Sequence, residues 1–320
     1  MMPKRKLLFS APFRFLTKEI EEYKKYFIID FCEIWSKEEL EKLKLNYEFW
    51  IPNPGQNFMI DGKILDKFHN LKIVSTPSTG TNHINIKDCE DHSVRVYGLL
   101  DNRPQLNKIS ASAEFTFLKL LASIRKIDLA WSEIRDGRWR QNEDELRGHE
   151  IKELSYGFIG MGRIGTNLVR YLKAFDAKRI AYYDPNVSLD DYSITKVESI
   201  EKVFAESDVV TICAVLNDET NGIITFDQLR LMKKNSFLIN TSRGELINED
   251  DLVRTLEERK DISFSADVIV GEVINEHMSN PLVELHKSGK IKLTPHIAGA
   301  TYGSQTHAAI TAFENILKNA

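Results

Sequence analysis

The sequence predicts an α/β protein of two domains, each built on a doubly wound parallel sheet. Three observations predict it. The chain has 320 residues, the length of two ordinary domains. Short apolar runs alternate with amphipathic stretches from end to end, the pattern of βαβ units. A long helical stretch beginning at Ala111 separates one such series from the next.

In the first series the expected strands are Lys6–Phe9, Phe27–Phe31, Phe49–Ile51, Leu71–Ser75 and Ser93–Tyr97. The clearest helix among them is Ser36–Leu45, where Ser36 and Glu39 have capping-box spacing ahead of Leu40 and Leu43. Ala111–Leu129 follows without Gly or Pro. Phe115, Leu118, Leu121, Ala122 and Ile124 recur there at helical spacing, so one long helix is predicted. Asp136–Gly148 is polar and charged around Trp139 and reads as an excursion. The second series has strands at Tyr156–Ile159, Arg179–Tyr183, Val209–Val215, Phe237–Asn240, Ile262–Val268 and Lys290–Leu293. Helical patterns separate them, as at Asn248–Glu258 and Pro281–Lys287, and the tail Gly303–Leu317 is helical again.

Composition narrows the function classes. The chain is 42% hydrophobic and 28% charged, which is incompatible with wholesale disorder. Its net charge of -4 offers no polybasic surface for nucleic acid or anionic lipid. Three scattered cysteines, with no CxxC, argue against a disulfide scaffold or a zinc finger and fit a reducing cytoplasm. The apolar run near the start is too short for a signal peptide, and none approaches the roughly 18 residues of a membrane span. The histidines show no paired ligand spacing, so no metal is expected.

The sharpest local signal is Gly160-Met161-Gly162-Arg163-Ile164-Gly165. This G-x-G-x-x-G follows an apolar strand and opens a helix with Ile164, Leu168, Leu172 and Phe175 on one face. Gly160 permits a tight turn, Gly162 lets a pyrophosphate approach the backbone, and Gly165 lets helix and strand lie close. The helix N-terminus then meets the phosphates. The next strand ends in Asp184, about twenty residues after Gly165, where a carboxylate accepts ribose hydroxyls and repels a 2′-phosphate. The expected cofactor is therefore NAD.

Ligands of open α/β sheets sit beyond the carboxyl ends of the strands. Arg243 follows the strand Phe237–Asn240, Asp267 and Glu272 follow or close the next, and His296 follows the last. A guanidinium can bind a carboxylate through two hydrogen bonds and polarise a neighbouring carbonyl. An imidazole suits proton exchange near neutral pH, and a carboxylate beside it favours its charged form. With a nicotinamide, such a set makes a hydroxy-acid dehydrogenase. On spacing alone, Arg243 as a helix-capping arginine and Glu272 as a surface charge stay open.

Taken together, these residues resemble the D-isomer-specific 2-hydroxyacid dehydrogenases over nearly the whole chain. YGFIGMGRIG is similar to that family's cofactor fingerprint, INTSRGELIN to its arginine motif, SADVIVGE to its Asp-then-Glu motif and LTPHIAGAT to its histidine motif. VSTPSTGTNHIN resembles the loop whose amides hold the substrate carboxylate. The resemblance implies Arg243 as the substrate-binding and polarising arginine, His296 as acid/base and Glu272 as its partner. It implies Thr79 and Gly80 at the substrate carboxylate. Arg163 and Ile164 are implied at the pyrophosphate, and Ala214, Thr220, Thr241 and Asp267 along the NAD site. It further implies a flavodoxin-like substrate domain, residues 1–107 with 301–320, and an NAD-binding Rossmann domain, residues 108–300. An active-site cleft between the domains and a homodimer are also expected. The activity implied is hydride transfer between NAD and C2 of a D-2-hydroxy or 2-keto acid. An NAD(H)-sensing corepressor on the same scaffold, or a formate- or phosphite-type dehydrogenase, is the alternative. Val273 after Glu272, and Val215 in the strand-end cofactor loop, replace the family's usual prolines, so both loops are expected to be less rigid.

Overall fold

The computed structural model describes residues 4–191, 193–273 and 279–320. Contacts divide the chain into two compact units. One comprises Met1–Ile109, Gly271–Glu276 and Ala300–Ala320; the other comprises Ser110–Val270 and His277–Gly299.

The first unit carries strands β1 (Arg5–Phe9), β2 (Phe27–Phe31), β3 (Phe49–Ile51), β4 (Ile73–Ser75) and β5 (Arg95–Tyr97). They form a parallel sheet in the order β2-β1-β3-β4-β5. Both faces are covered, which is why the strands read as apolar runs rather than alternations. On one face Trp50, Leu8 and Val74 pack with Leu40, Ile64 and Phe68. On the other, Leu7, Phe9, Phe49 and Ile73 meet Ala309, Ala312, Phe313 and Ile316 of the C-terminal helix Tyr302–Asn319. Phe313 is fully buried, stacks on Tyr23 at 4.2 Å and meets Phe9 edge-on at 5.4 Å. Phe313→Ala should therefore destabilise this unit by roughly 3–5 kcal/mol, read as a lowered denaturant midpoint at unchanged slope.

The second unit carries β6 (Ser155–Ile159), β7 (Arg179–Tyr183), β8 (Thr195–Lys196), β9 (Val209–Ile212), β10 (Phe237–Asn240), β11 (Ser263–Ala266) and β12 (Lys292–Leu293). The order β12-β11-β10-β9-β6-β7-β8 is parallel throughout and reverses at β6, the doubly wound dinucleotide-binding topology.

Several expectations need correction. The predicted long helix is two helices, Ala111–Ile124 and Ile127–Arg135, with Lys126 left-handed between them at φ 51°. The break is tertiary in origin. His149 N–H donates to the Ile124 carbonyl at 2.9 Å, and Gly148 lies so close that a Cβ there would fall 2.3 Å from the same oxygen. The returning chain thus takes the carbonyl of the helix's last residue, Ile124. The helix after Ser36 has its capping box but ends at Glu41. Strand β9 stops at Ile212, short of Val215, where the chain turns over the glycine loop. The short exposed β8 carries no apolar pattern and was not predicted.

Candidate active site

The glycine turn leaves β6 at Ile159. Gly160 has φ 88°, and a Cβ on it would lie 2.6 Å from the Ala214 nitrogen, so only glycine fits the turn. A Cβ on Gly165 would meet the Gly160 carbonyl at 2.9 Å, whereas one on Gly162 would meet open space. The helix Arg163–Ala174 begins at Gly162 with no side-chain cap, which leaves its positive end for an anion. Arg163 and Ile164 stand half-buried in the first turn, and burial lowers the Arg163 pKa.

Asp184 closes β7 and reaches back to this turn. Its Oδ2 accepts from Met161 N–H at 2.8 Å, and its Oδ1 from Asn186 and Val187 N–H at 2.8 and 2.9 Å. The carboxylate thus holds the glycine loop, a task the sequence did not reveal, while each oxygen retains acceptor capacity. Across the turn, Val215 is largely exposed, yet its loop is braced without proline. Thr220 Oγ1 donates to the Val215 carbonyl at 2.6 Å and accepts from Asn217 N–H at 2.9 Å.

Three neighbouring strands present the other candidates. At the end of β10 the buried Asn240 amide pins the arginine loop. Its Nδ2 donates to the Arg243 carbonyl at 2.9 Å, and its Oδ1 accepts from Ser242 N–H at 3.0 Å. Ser242 Oγ donates to the Ala214 carbonyl at 2.5 Å, and Arg243 Nη1 to the Ser242 carbonyl at 2.6 Å. The hydroxyls of Thr241 and Thr116 lie 2.6 Å apart. Thr116 spends its proton on the Ser112 carbonyl, so Thr241 donates to Thr116.

Beyond β11, Asp267 is buried and its carboxylate gathers the histidine loop. Oδ1 accepts from Thr294 Oγ1 at 2.5 Å and from Ile297 N–H at 3.1 Å, and Oδ2 accepts from Ala298 N–H at 2.8 Å. His296 N–H donates to the Asp267 carbonyl at 2.9 Å, and His296 itself is left-handed at φ 51°. A non-glycine residue held in that region is a strained one, kept there by its surroundings. Asp267 is thus the anchor of the loop that carries His296. Burial lowers the pKa of Lys119, on the helix Ala111–Ile124, and the Asp267 charge opposes that shift. Glu272, half-buried, stands just past Gly271 in the segment that clusters with the first unit.

In the first unit, Thr79 and Gly80 lie on the loop after β4, with Thr79 exposed. Ser78 Oγ donates to the Gly80 carbonyl at 2.7 Å. Thr76 Oγ1 must then donate to Ser78, 2.8 Å away, which makes buried His83 Nε2 the donor to Thr76 at 3.0 Å. Internal bonds thus set the shape of this loop before any substrate arrives.

The family model for the D-isomer specific 2-hydroxyacid dehydrogenase, NAD binding domain, matches residues 117–298. The chain belongs to the D-isomer specific 2-hydroxyacid dehydrogenase family. It is 34% identical over 266 residues to a glyoxylate reductase of Thermofilum pendens, covering 81% of this chain and 74% of that protein. It is 30% identical over 286 residues to a D-3-phosphoglycerate dehydrogenase of Methanocaldococcus jannaschii, covering 88% of this chain and 52% of that one. Its fold is similar to that of a D-lactate dehydrogenase from Aquifex aeolicus, with a TM-score of 0.80 at 22% identity over 98% of this chain and 94% of that one.

This dehydrogenase is an NAD-dependent oxidoreductase of 2-hydroxy and 2-keto acids. The second unit fits the cofactor. Open space lies at Gly162, the helix behind it lacks a side-chain cap, and a carboxylate stands at the end of β7. When bound, NAD supplies or accepts the hydride. Sequence reasoning missed the groups that hold the loops bearing Arg243 and His296: Asn240, Ser242, Thr116 and Thr294. Asn240 and Ser242 sit inside a motif that was read, and their polarity in or beside an apolar strand end was the available signal. Thr116, on a distant helix, gave none.

Proposed function

We propose that this dehydrogenase interconverts a D-2-hydroxy acid and its 2-keto acid with Arg243 as substrate clamp and His296 as acid/base. The observation that carries the reading is the placement of both loops beyond the ends of β10 and β12, the two strands that flank β11 in one sheet. Arg243 follows β10, His296 follows β12, and Asp267 at the end of β11 anchors the histidine loop between them. In oxidation, His296 takes the hydroxyl proton as hydride leaves C2. In reduction it returns that proton to the C2 oxygen. Arg243 donates to the substrate carboxylate and polarises the carbonyl, and the Thr79–Gly80 amides hold the carboxylate. Glu272 is the carboxylate that sustains the charge on His296. Residues 1–107 with 301–320 serve as the substrate domain, and residues 108–300 as the NAD domain. Steady oxidation of NADH with a 2-keto acid tests the reading; binding of NADH without turnover would favour a sensing protein instead.

Asp184 selects NAD over NADP. Because it also accepts three backbone N–H groups, Asp184→Ala should loosen the glycine turn as well as relax selectivity. Asp184→Arg should shift the NADPH/NADH ratio of kcat/KM toward NADPH. Wild-type protein that uses both coenzymes equally would contradict the assignment.

The enzyme works in the cytoplasm as a homodimer. Free Cys32, Cys89 and Cys213 support a reducing compartment. Leu118, Trp131, Ile134 and Trp139, all at least half-exposed on one stretch of the second unit, support a self-association surface. Sedimentation should give twice the chain mass, and Trp131→Glu should lower it to one.

A further inference from the structure

We propose that His83, Thr76 and Ser78 form a hydrogen-bond relay that locks the Gly80–Thr81 peptide, so that the Thr81 N–H, and not the Gly80 carbonyl, faces the substrate carboxylate. The inference deepens the reading that the Thr79–Gly80 loop holds that carboxylate, and rests on it. The relay lies within the first unit.

The backbone of this loop is turned one way. Its carbonyls are taken by internal donors. Leu99 N–H donates to the Ser78 carbonyl at 3.0 Å, Ser78 Oγ to that of Gly80 at 2.7 Å, Ile84 N–H to that of Thr81 at 2.8 Å and Ile60 N–H to that of His83 at 2.9 Å. The N–H groups of Ser78, Thr79, Gly80 and Thr81 have no acceptor among the described residues. Thr79 is exposed and the other three are half-buried, so the stretch stands at the surface. Successive N–H groups without acceptors make a concave site for an anion.

Three of those carbonyls are held by backbone N–H groups, and that of Gly80 is held by a hydroxyl. A trans peptide is planar, with its C=O and N–H pointing opposite ways. A Gly80 carbonyl held toward Ser78 therefore sends the Thr81 N–H the other way. Rotating that peptide plane would exchange the two and turn a carbonyl oxygen toward a carboxylate. Glycine at position 80 leaves such a rotation sterically open, so a bond has to fix the plane. Ser78 supplies that bond, and its hydroxyl is itself oriented. The Gly80 carbonyl only accepts, so Ser78 donates to it and takes the Thr76 proton at 2.8 Å. Thr76, its proton spent, takes one from His83 Nε2 at 3.0 Å. Thr76 and His83 are 0% and 2% exposed, so water does not stand in for either.

The test is binding of oxamate, an unreactive 2-keto acid analogue, to the enzyme–NADH complex by fluorescence, alongside KM and kcat for hydroxypyruvate. Ser78→Ala should raise the oxamate Kd and the KM by about 10-fold, the loss of one hydrogen bond to a charged group, with kcat within about 3-fold. NADH affinity should not move. Ser78→Thr keeps the hydroxyl and should stay within about 3-fold of wild type in Kd and KM. Thr76→Val should raise the oxamate Kd in the wild-type background and leave it unchanged in the Ser78→Ala background, because it acts through Ser78. A Ser78→Ala variant equal to wild type, a loss confined to kcat, or a Ser78→Thr variant as weak as Ser78→Ala would overturn the lock. Equal losses from Thr76→Val in both backgrounds would overturn the relay behind it. Wild type that neither binds oxamate nor reduces hydroxypyruvate would instead bring down the carboxylate reading beneath both.

Discussion

Asparagine in place of His296 should cost on the order of 10²–10⁴ in turnover while leaving the fold and NADH binding intact. The backbone favours this particular substitution. Residue 296 sits at φ 51°, a region that asparagine tolerates better than other side chains. The backbone N–H groups of residues 296, 297 and 298 bond to Asp267, and the substitution leaves all three in place. On the proposed role, the substitution removes the proton carrier while these backbone bonds stay available. Steady-state rates alongside NADH fluorescence titration check this. Near-wild-type turnover would eliminate the role, and loss of NADH binding would recast His296 as structural.

Lysine in place of Arg243 should lower kcat/KM by about 10- to 150-fold, the loss of one charge-assisted hydrogen bond. Lysine keeps the charge but not the planar fork, so the variant separates geometry from electrostatics. The loop itself should survive. Asn240 holds it through the Arg243 carbonyl and the Ser242 N–H, and neither bond depends on the guanidinium. Loss in both KM and kcat is expected if the arginine also polarises the reacting carbonyl. NADH affinity should barely change. A lysine variant equal to wild type, or one defective in NADH binding alone, would show that Arg243 is not the clamp.

The parts of this molecule legible in the sequence are those whose chemistry is local. The glycine turn announces itself because the conformation at Gly160 and the approach at Gly165 demand residues without side chains. The strands bearing Arg243 and His296 were found because sheets covered on both faces are apolar along their length. What stayed hidden depends on contacts between distant segments. No propensity at Arg125 or Lys126 ends the helix; the arrival of Gly148 and His149 does. Asp184 and Asp267 were read as ligand-facing carboxylates, and the structure shows each gathering backbone N–H groups of a neighbouring loop. Motif position suggests that a carboxylate is needed, but the donors it collects are fixed only once the loops have folded.

The central claim is tested most directly by the product of hydroxypyruvate reduction. Purified protein, NADH and hydroxypyruvate are incubated to completion, and the glycerate formed is resolved on a chiral column. The account predicts stoichiometric loss of NADH and the D-isomer alone. Formation of the L-isomer, a racemate, or no glycerate at all would contradict it.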